Sequence, residues 1–413
     1  MSATGVSLDL ARELRAICGD EHVVEADKTS ALAASPGSAD EVGGIVRLAN
    51  QHGLSIAPVG GHANAAPALK VDVLLRMYRL AEVEHYDPAD LTVGVGAGMT
   101  VAQLSKLVEG GQLIFACDPG FPELSTIGGV LGAAKHGPLR HGYGALRDYC
   151  IGIRFVTGDG RKAKGGGHVV KNVAGYDMMK LLIGSCGTLA VITSASFKLF
   201  PAPRQTRTFL AEFKTWQEAL KFRDLVVRSP LAPMCLEIVS PAARRMMRPE
   251  MSDDAWVICL RAAGSDAVLA RYRKELGSAV TRELDGEGER EMWGAVEQFP
   301  FAKAANQGPP TDSGLPTMSV SSPPAELAPV LQVLQDVTAG DAAYVGRVGL
   351  GHLLIAFNLG GSDGKAAFAS LRNHLPKSTQ VVGNWEVLGS SPSMRAVKQA
   401  LDPNNVLRRR ELF

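Results

Sequence analysis

The stretch from Lys164 to Thr193 reads KGGGHVVKNVAGYDMMKLLIGSCGTLAVIT, and it constrains the fold more than any other part of the chain. Glycines come first as a run, then singly at Gly175, Gly184 and Gly187, and the segment closes on an apolar, β-branched tail that reads as a buried strand. One glycine marks a turn. Several, interleaved with Lys, Asn, Tyr and Asp, call for bare backbone approaching another surface closely at many points.

Two more stretches carry the same signal. PVGGHANAAP (58–67) follows the apolar strand-like LSIAPV, and DPGFPELSTIGGVLGAAKHGPLRHGYGALRDYCIG (118–152) is the second glycine-rich region. Neither is a dinucleotide or nucleotide-phosphate motif. A Rossmann loop opens directly into a helix, whereas Pro67 and the strand-like VDVLLRM follow the first loop here; Gly361 to Lys365 lacks the P-loop pattern. Successive backbone N–H groups in such a loop can still form an anion-binding nest.

Local signals give an α+β chain. SLDLARELRAICG predicts a helix with Ser7 as N-cap and Gly19 as its stop, and SADEVGGIVRLANQHG a second with Ser38 and Glu41 as a capping box and Gly53 closing it. Strands are expected at VDVLLRM, AEVEHY, LTVGVGAGM, IGIRFVTGDG and TLAVITSASFKLF, with Thr100 capping the helix VAQLSKLVEGG. Pro201 and Pro203 mark a boundary, 307–329 reads as a Pro/Ser/Gly-rich loop or linker, and a helix around Ser393–Leu401 precedes LDPNNVL.

At 413 residues two or three domains are the natural expectation. A net charge of +1, with no basic run longer than Arg408-Arg409-Arg410, gives a nucleic-acid partner no support. The six cysteines are scattered with no C-x-x-C pair, which excludes the usual zinc and iron–sulfur spacings and places any such electron relay on another chain. No signal-peptide core or membrane-length apolar run is found, so a reducing, cytoplasmic setting is expected, with membrane attachment only through partners.

Three glycine-rich stretches on one α+β scaffold, with a further domain after Pro203, resemble the PCMH-type FAD-binding fold of vanillyl-alcohol-oxidase-like flavoproteins. Within that superfamily, GGHVVKNVAGYDMMKLLIGSCGTLAVIT is similar to a segment of the FAD-binding E subunits of glycolate oxidases. The resemblance covers roughly 35–205 well, the later domain weakly, and LDPNNVL again. It implies an FAD-binding domain of two α+β subdomains over 1–204, an α+β cap over 205–384 and a C-terminal segment, 385–413, returning to the first domain.

Carried over by position, the resemblance assigns Gly60, Gly61, His62, Ala63 and Asn64 to the pyrophosphate loop. Pro119, Ser125, Thr126, Gly128, Gly129, Gly132 and Ala133 fall in the loop lining the isoalloxazine and ribityl chain, and Val191 and Ile192 at the adenine end. The chain departs from the family at Cys186, where Glu is common, and at Ala190, where Gly is. Cys186 reads as a small buried residue. His62 stands where some relatives attach flavin covalently, but the resemblance implies non-covalent FAD here. His136 and His141 flank Gly137-Pro138 and read as loop or flavin-edge residues, and no metal site is expected.

Catalytic relatives carry H-x-G-D-G-N-x-H in the cap; the nearest stretch here, Tyr344 to Phe357, keeps glycines and His352 but lacks the first His, the Asp and the Asn. The resemblance therefore implies an FAD subunit working beside a catalytic FAD subunit and an iron–sulfur subunit in oxidation of a small 2-hydroxy acid, glycolate to glyoxylate. A self-sufficient hydroxy-acid dehydrogenase is the first alternative, with Arg347 for the substrate carboxylate and His352 as base. A non-catalytic assembly subunit with a relic flavin cleft is the second.

Overall fold

A computed structural model describes residues 3–25, 32–61, 71–169, 175–247, 254–299, 317–338, 342–357, 370–383 and 391–408. The chain divides into two compact units: Met1–His136, Ala145–Ala202 and Val387–Phe413 form the first, and Gly137–Gly144 with Pro203–Glu386 form the second.

The first unit opens with helices Ala3–Cys18 and Ala39–His52 against a four-stranded sheet of β1 (Val23–Glu25), β2 (Leu32–Ala34), β3 (Ile56–Val59) and β4 (Val73–Arg76), in the order β1-β2-β4-β3. Leu14, Val42, Ile45 and Val46 from the helices bury against Ile56 and Leu75 from the strands. Ser38 caps the second helix by accepting the Glu41 N–H at 3.1 Å, and Gly53 at φ 65° closes it. The Glu41 carboxylate reaches past Ser38 to accept the Gly37 N–H at 2.8 Å. Ser7 is not an N-cap: the first helix begins at Ala3 and places Ser7 a turn inside it, because 3–6 continue in helical geometry.

Five antiparallel strands build the second sheet of this unit. β5 (Val83–Asp87) and β6 (Thr92–Gly96) precede the short β7 (Leu113–Ile114); then come β8 (Cys150–Thr157), β9 (Lys162–Gly166), β10 (Ala190–Lys198) and β11 (Phe200–Pro201), which pairs with β7. The order is β5-β6-β10-β8-β9. β10 is buried along nearly its whole length, its polar Thr193, Ser194 and Ser196 included. Thr100 and Gln103 form the capping box of helix Val101–Glu109.

The C-terminal segment is fastened into this unit by a buried ion pair. Lys398, on helix Pro392–Leu401, is 6% exposed and donates to the Thr188 carbonyl and the Leu407 carbonyl, each at 2.7 Å, and to Asp402 at 2.5 Å. Asp402 accepts the N–H groups of Val406 and Leu407 at 2.9 and 2.8 Å. Ile56 of β3 then exchanges backbone bonds with Val406 and Arg408, so LDPNNVL runs onto the first sheet. Burial pulls the Lys398 ammonium below its ordinary pKa while Asp402 opposes that shift.

In the second unit eight strands form one antiparallel sheet: β12 (Thr206–Phe213), β13 (Cys235–Val239), β14 (Trp256–Ala263), β15 (Arg282–Leu284), β16 (Thr317–Ser321), β17 (Ala342–Arg347), β18 (His352–Phe357) and β19 (Gln380–Gly383), ordered β15-β12-β14-β13-β17-β18-β16-β19. Phe209, Leu236, Ile258, Leu260, Val320 and Ile355 bury one face with helices Trp216–Arg228, Asp266–Leu276 and Leu327–Thr338. Strand alternation puts Thr208, Glu212, Glu237, Arg261 and Arg347 on the other.

The linker expected at 307–329 is corrected in its second half. Thr317–Ser321 is β16, inside the sheet between β18 and β19, and Leu327–Thr338 is a helix. Met318 and Val320 alternate with Thr and Ser in period two, and that pattern outweighs the Pro/Ser density that suggested a loop. Residues 307–316 lie outside the described residues.

Replacing Lys398 with Met leaves Asp402, 1% exposed, without its cation. The expected cost is about 3–5 kcal/mol, read as a lower Tm of the first unit in a thermal scan. The double variant K398M/D402N recovers part of that loss, because it removes the buried charge while the amide oxygen still offers an acceptor to the Val406 and Leu407 N–H groups.

Candidate functional site

The glycine-rich stretches converge in the first unit. β3 runs into Gly60 and Gly61, whose backbones press against the second stretch: a Cβ on Gly60 would collide with the Thr126 hydroxyl, and one on Gly61 with the Leu124 carbonyl oxygen. Gly187, at φ 74°, brings the third stretch against Pro58, where a Cβ would lie 2.5 Å from the ring. The glycines thus let the three stretches pack in direct contact with one another. His62, Ala63 and Asn64 lie outside the described residues.

Local bonds shape the middle stretch. Ser125 donates its hydroxyl to the Gly120 carbonyl at 3.0 Å, while the N–H groups of Leu124 and Ser125 turn back to Phe121. Thr126 accepts the Gly129 N–H at 3.2 Å and starts the short helix Ile127–Gly132; Gly128 donates to Ala97 at 2.7 Å, close enough that a Cβ would sit 3.0 Å from the Ala97 methyl. Gly129 carbonyl accepts the Ala133 N–H, and Pro119 is buried at the loop's start. From the third stretch, Gly184 and Cys186 donate to the carbonyls of Leu131 and Gly132 at 2.9 and 2.8 Å.

Val191 and Ile192 continue from there as the first turns of β10, both buried. They pair with Val156 and Phe155 of β8, whereas β6 joins β10 only from Ser194, past an irregularity at Thr193. That leaves the start of β10 beyond the end of β6.

Backbone strain collects in the same place. Phe121, Ala134 and Cys186 all hold left-handed φ angles, of 58°, 48° and 54°. Such non-glycine residues persist where their surroundings over-determine them, and functional loops are the usual location. Cys186 is half-buried in this strained turn, which corrects the expectation of a small buried residue.

These residues fit FAD on one observation. Ser185 buries its hydroxyl oxygen, and among the described residues that oxygen has no hydrogen-bond partner, a costly arrangement that a polar ligand group relieves. The bare backbones of Gly60, Gly61 and Gly187 also pack directly on Thr126, Leu124 and Pro58, which draws the three glycine loops together. Ser185 stands in the GSCGT run, where nothing along the sequence sets its hydroxyl apart. The thiols of Cys117 and Cys150 offer no nucleophile: burial pushes the first well above the ordinary range and the second up to about 12.

The cap residues named from sequence stand in the second unit, and they are engaged. Arg347 donates from Nε to the Gly137 carbonyl at 2.8 Å and lies 3.7 Å from the carboxylate of Glu237, which is 1% exposed. His352 sits opposite Arg347 in the β17–β18 register, its Nδ1 2.9 Å from the Ser321 hydroxyl. His136 and His141 fall in different units. His141 packs on Gly349, and burial lowers its pKa, so the ring is neutral near pH 7. Among the described residues no group of three or more His, Cys, Asp or Glu could hold a metal ion, and no helix is long and apolar enough to cross a membrane.

A mixed α/β first unit with converging glycine loops, joined in sequence to a unit built on a large antiparallel sheet, is the fold seen in PCMH-type FAD-binding flavoproteins. Residues 30–165 match the FAD binding domain family, and FAD is the cofactor. The chain is 30% identical over 208 residues to glycolate oxidase subunit GlcD of Bacillus subtilis, 33% over 226 residues to a D-lactate dehydrogenase of Archaeoglobus fulgidus, and 35% over 139 residues to glycolate oxidase subunit GlcE of Escherichia coli. Those matches cover 50%, 54% and 33% of this chain, and half or less of the relatives: 44%, 50% and 39%. Solved structures of p-cresol methylhydroxylase (TM-score 0.74, 14% identity, 98% of this chain and 96% of that one) and alkyldihydroxyacetonephosphate synthase (0.72, 17%, 98% and 86%) share the fold.

Gly61→Val places a side chain on the Leu124 carbonyl and is expected to abolish FAD binding while the second unit stays folded. Flavin absorbance per mole of purified protein measures this; stoichiometric FAD in the variant contradicts the assignment of the loop.

Proposed function

We propose that this chain is the FAD-binding subunit of a glycolate oxidase-like complex, taking part in electron transfer as a small 2-hydroxy acid is oxidised to its 2-oxo acid. The relatives that support this reading include both D-lactate dehydrogenases and two differently named glycolate oxidase subunits. In it, the first unit is the FAD-binding domain and the second the cap. Gly60, Gly61, Ser125 and Thr126 hold the diphosphate and ribityl side, with His62, Ala63 and Asn64 completing that loop; Gly128, Gly129, Gly132, Ala133 and Pro119 shape the pocket wall, and Val191 and Ile192 receive the adenine end. Bound FAD would supply a redox centre that passes or stores electrons taken from the 2-hydroxy acid by a catalytic FAD subunit of the complex.

The observation that carries the subunit reading is the engagement of Arg347. A hydroxy-acid site needs a cation for the substrate carboxylate and a base for the hydroxyl proton. Here the guanidinium already faces a buried carboxylate, Glu237, and a carbonyl, and a substrate anion would have to displace them. His352 comes without the first His, the Asp and the Asn of the catalytic motif. Positioned acid–base catalysis contributes about 10²–10⁴-fold, so the chain alone turns over close to background. With no cysteine cluster for an iron–sulfur relay, electrons leave through a partner chain.

Two measurements test this. Anaerobic mixing of the FAD-loaded chain with glycolate or D-lactate leaves the flavin oxidised, and adding the partner subunits reduces it; rapid full bleaching by the chain alone overturns the subunit reading in favour of a self-sufficient dehydrogenase using Arg347 and His352. Acid precipitation releases FAD into the supernatant. Flavin fluorescence retained on the denatured polypeptide makes His62 a covalent anchor instead.

A further inference from the structure

The second unit holds a cavity of about 150 Å³ between the sheet and helix Gly286–Glu297. Leu210 of β12, Val239 of β13 and Val257 and Cys259 of β14 form its floor, each 8% exposed or less. Met292 and Val296 of the helix form a wall, and Met247 stands across from them on helix Pro241–Met247. Cys259 keeps its proton, since burial drives the thiol up to about 12, and behaves as one more apolar group.

Arg244 breaks this apolar lining. Its side chain is 10% exposed, and one terminal nitrogen reaches the Glu212 carboxylate only at 3.3 Å. The other, Nη1, is buried and has no acceptor among the described residues. A buried guanidinium N–H left unmatched is among the most costly polar defects a fold can carry, and the energy returns when an acceptor arrives. Arg282 and Glu291 are exposed on the lining, so charge of both signs meets solvent there.

We propose that this cavity is a binding site for a small apolar molecule bearing one anionic acceptor, an aromatic or branched monocarboxylate of about benzoate size. The size follows from the volume, since apolar cavities of ~150 Å³ accept a benzene-sized body. The carboxylate follows from Arg244: one oxygen on Nη1 completes a guanidinium whose opposite edge Glu212 already holds. The site lies wholly within the second unit and stands independently of the flavin reading.

The test uses the full FAD-loaded chain labelled with ¹³C at the methionine methyl groups. Titration with sodium benzoate shifts the Met247 and Met292 methyl signals saturably, and benzamide, which lacks the charge, binds about tenfold more weakly. Arg244→Met brings benzoate to the level of benzamide. Ala295→Phe, which fills the cavity from the helix side, abolishes both titrations while FAD content stays at the wild-type level. Absence of saturable shifts at Met247 and Met292 overturns the proposal, as does benzoate binding that survives Ala295→Phe. Should Arg244→Met fail to fold, Ala295→Phe decides alone: lost binding supports the site and retained binding refutes it.

Discussion

The approach of Gly61 to the Leu124 carbonyl leaves no space for even one methyl group, and the candidate flavin site is organised around that contact. Two loops far apart in sequence meet there backbone to backbone. Thr126 sits between them, close to Gly60 on one side and accepting the Gly129 N–H on the other. Once those loops are in register, the 184–187 turn has one place to go, against Pro58 and the carbonyls of Leu131 and Gly132. The left-handed angles at Phe121, Ala134 and Cys186 are costs of that convergence, of order 1–3 kcal/mol each, and the surrounding bonds hold them.

Lys398 makes the site depend on the last residues of the chain. Its ammonium joins the Thr188 carbonyl, at the entrance to β10, to Asp402 and Leu407 in the C-terminal segment. Gly158 accommodates the same carboxylate, since a Cβ there would strike Asp402. A charge buried this deeply is tolerable only when each of its donors is satisfied, and Lys398 finds an acceptor for all three. The turn carrying Ser185 and Cys186 is therefore bounded by the helix Ile127–Gly132 on one side and by the C-terminal lock just downstream.

Much of this was legible before any coordinates. Capping residues Ser38 and Thr100, the stop at Gly53 and the buried strands follow from local chemistry, because each depends on a few neighbouring residues. β16 was hidden because its serines and flanking prolines mimic a linker, and only pairing with β18 and β19 on both sides makes Met318 and Val320 core. Ser185 and Lys398 were illegible for a different reason. Their importance lies in what they meet across the fold: nothing among the described residues, for the Ser185 hydroxyl, and a carbonyl from far along the sequence for Lys398. The engagement of Arg347 by Glu237 is of the same kind, a cross-strand partner that spacing along one strand does not reveal.

The central claim is that the converged glycine loops hold FAD, and a crystal structure of the chain grown with FAD tests it most directly. The account predicts the diphosphate against the backbone of Gly60 and Gly61, with the Ser185 hydroxyl in a hydrogen bond that it lacks among the described residues. A diphosphate bound elsewhere, with Ser185 still unpartnered, contradicts it.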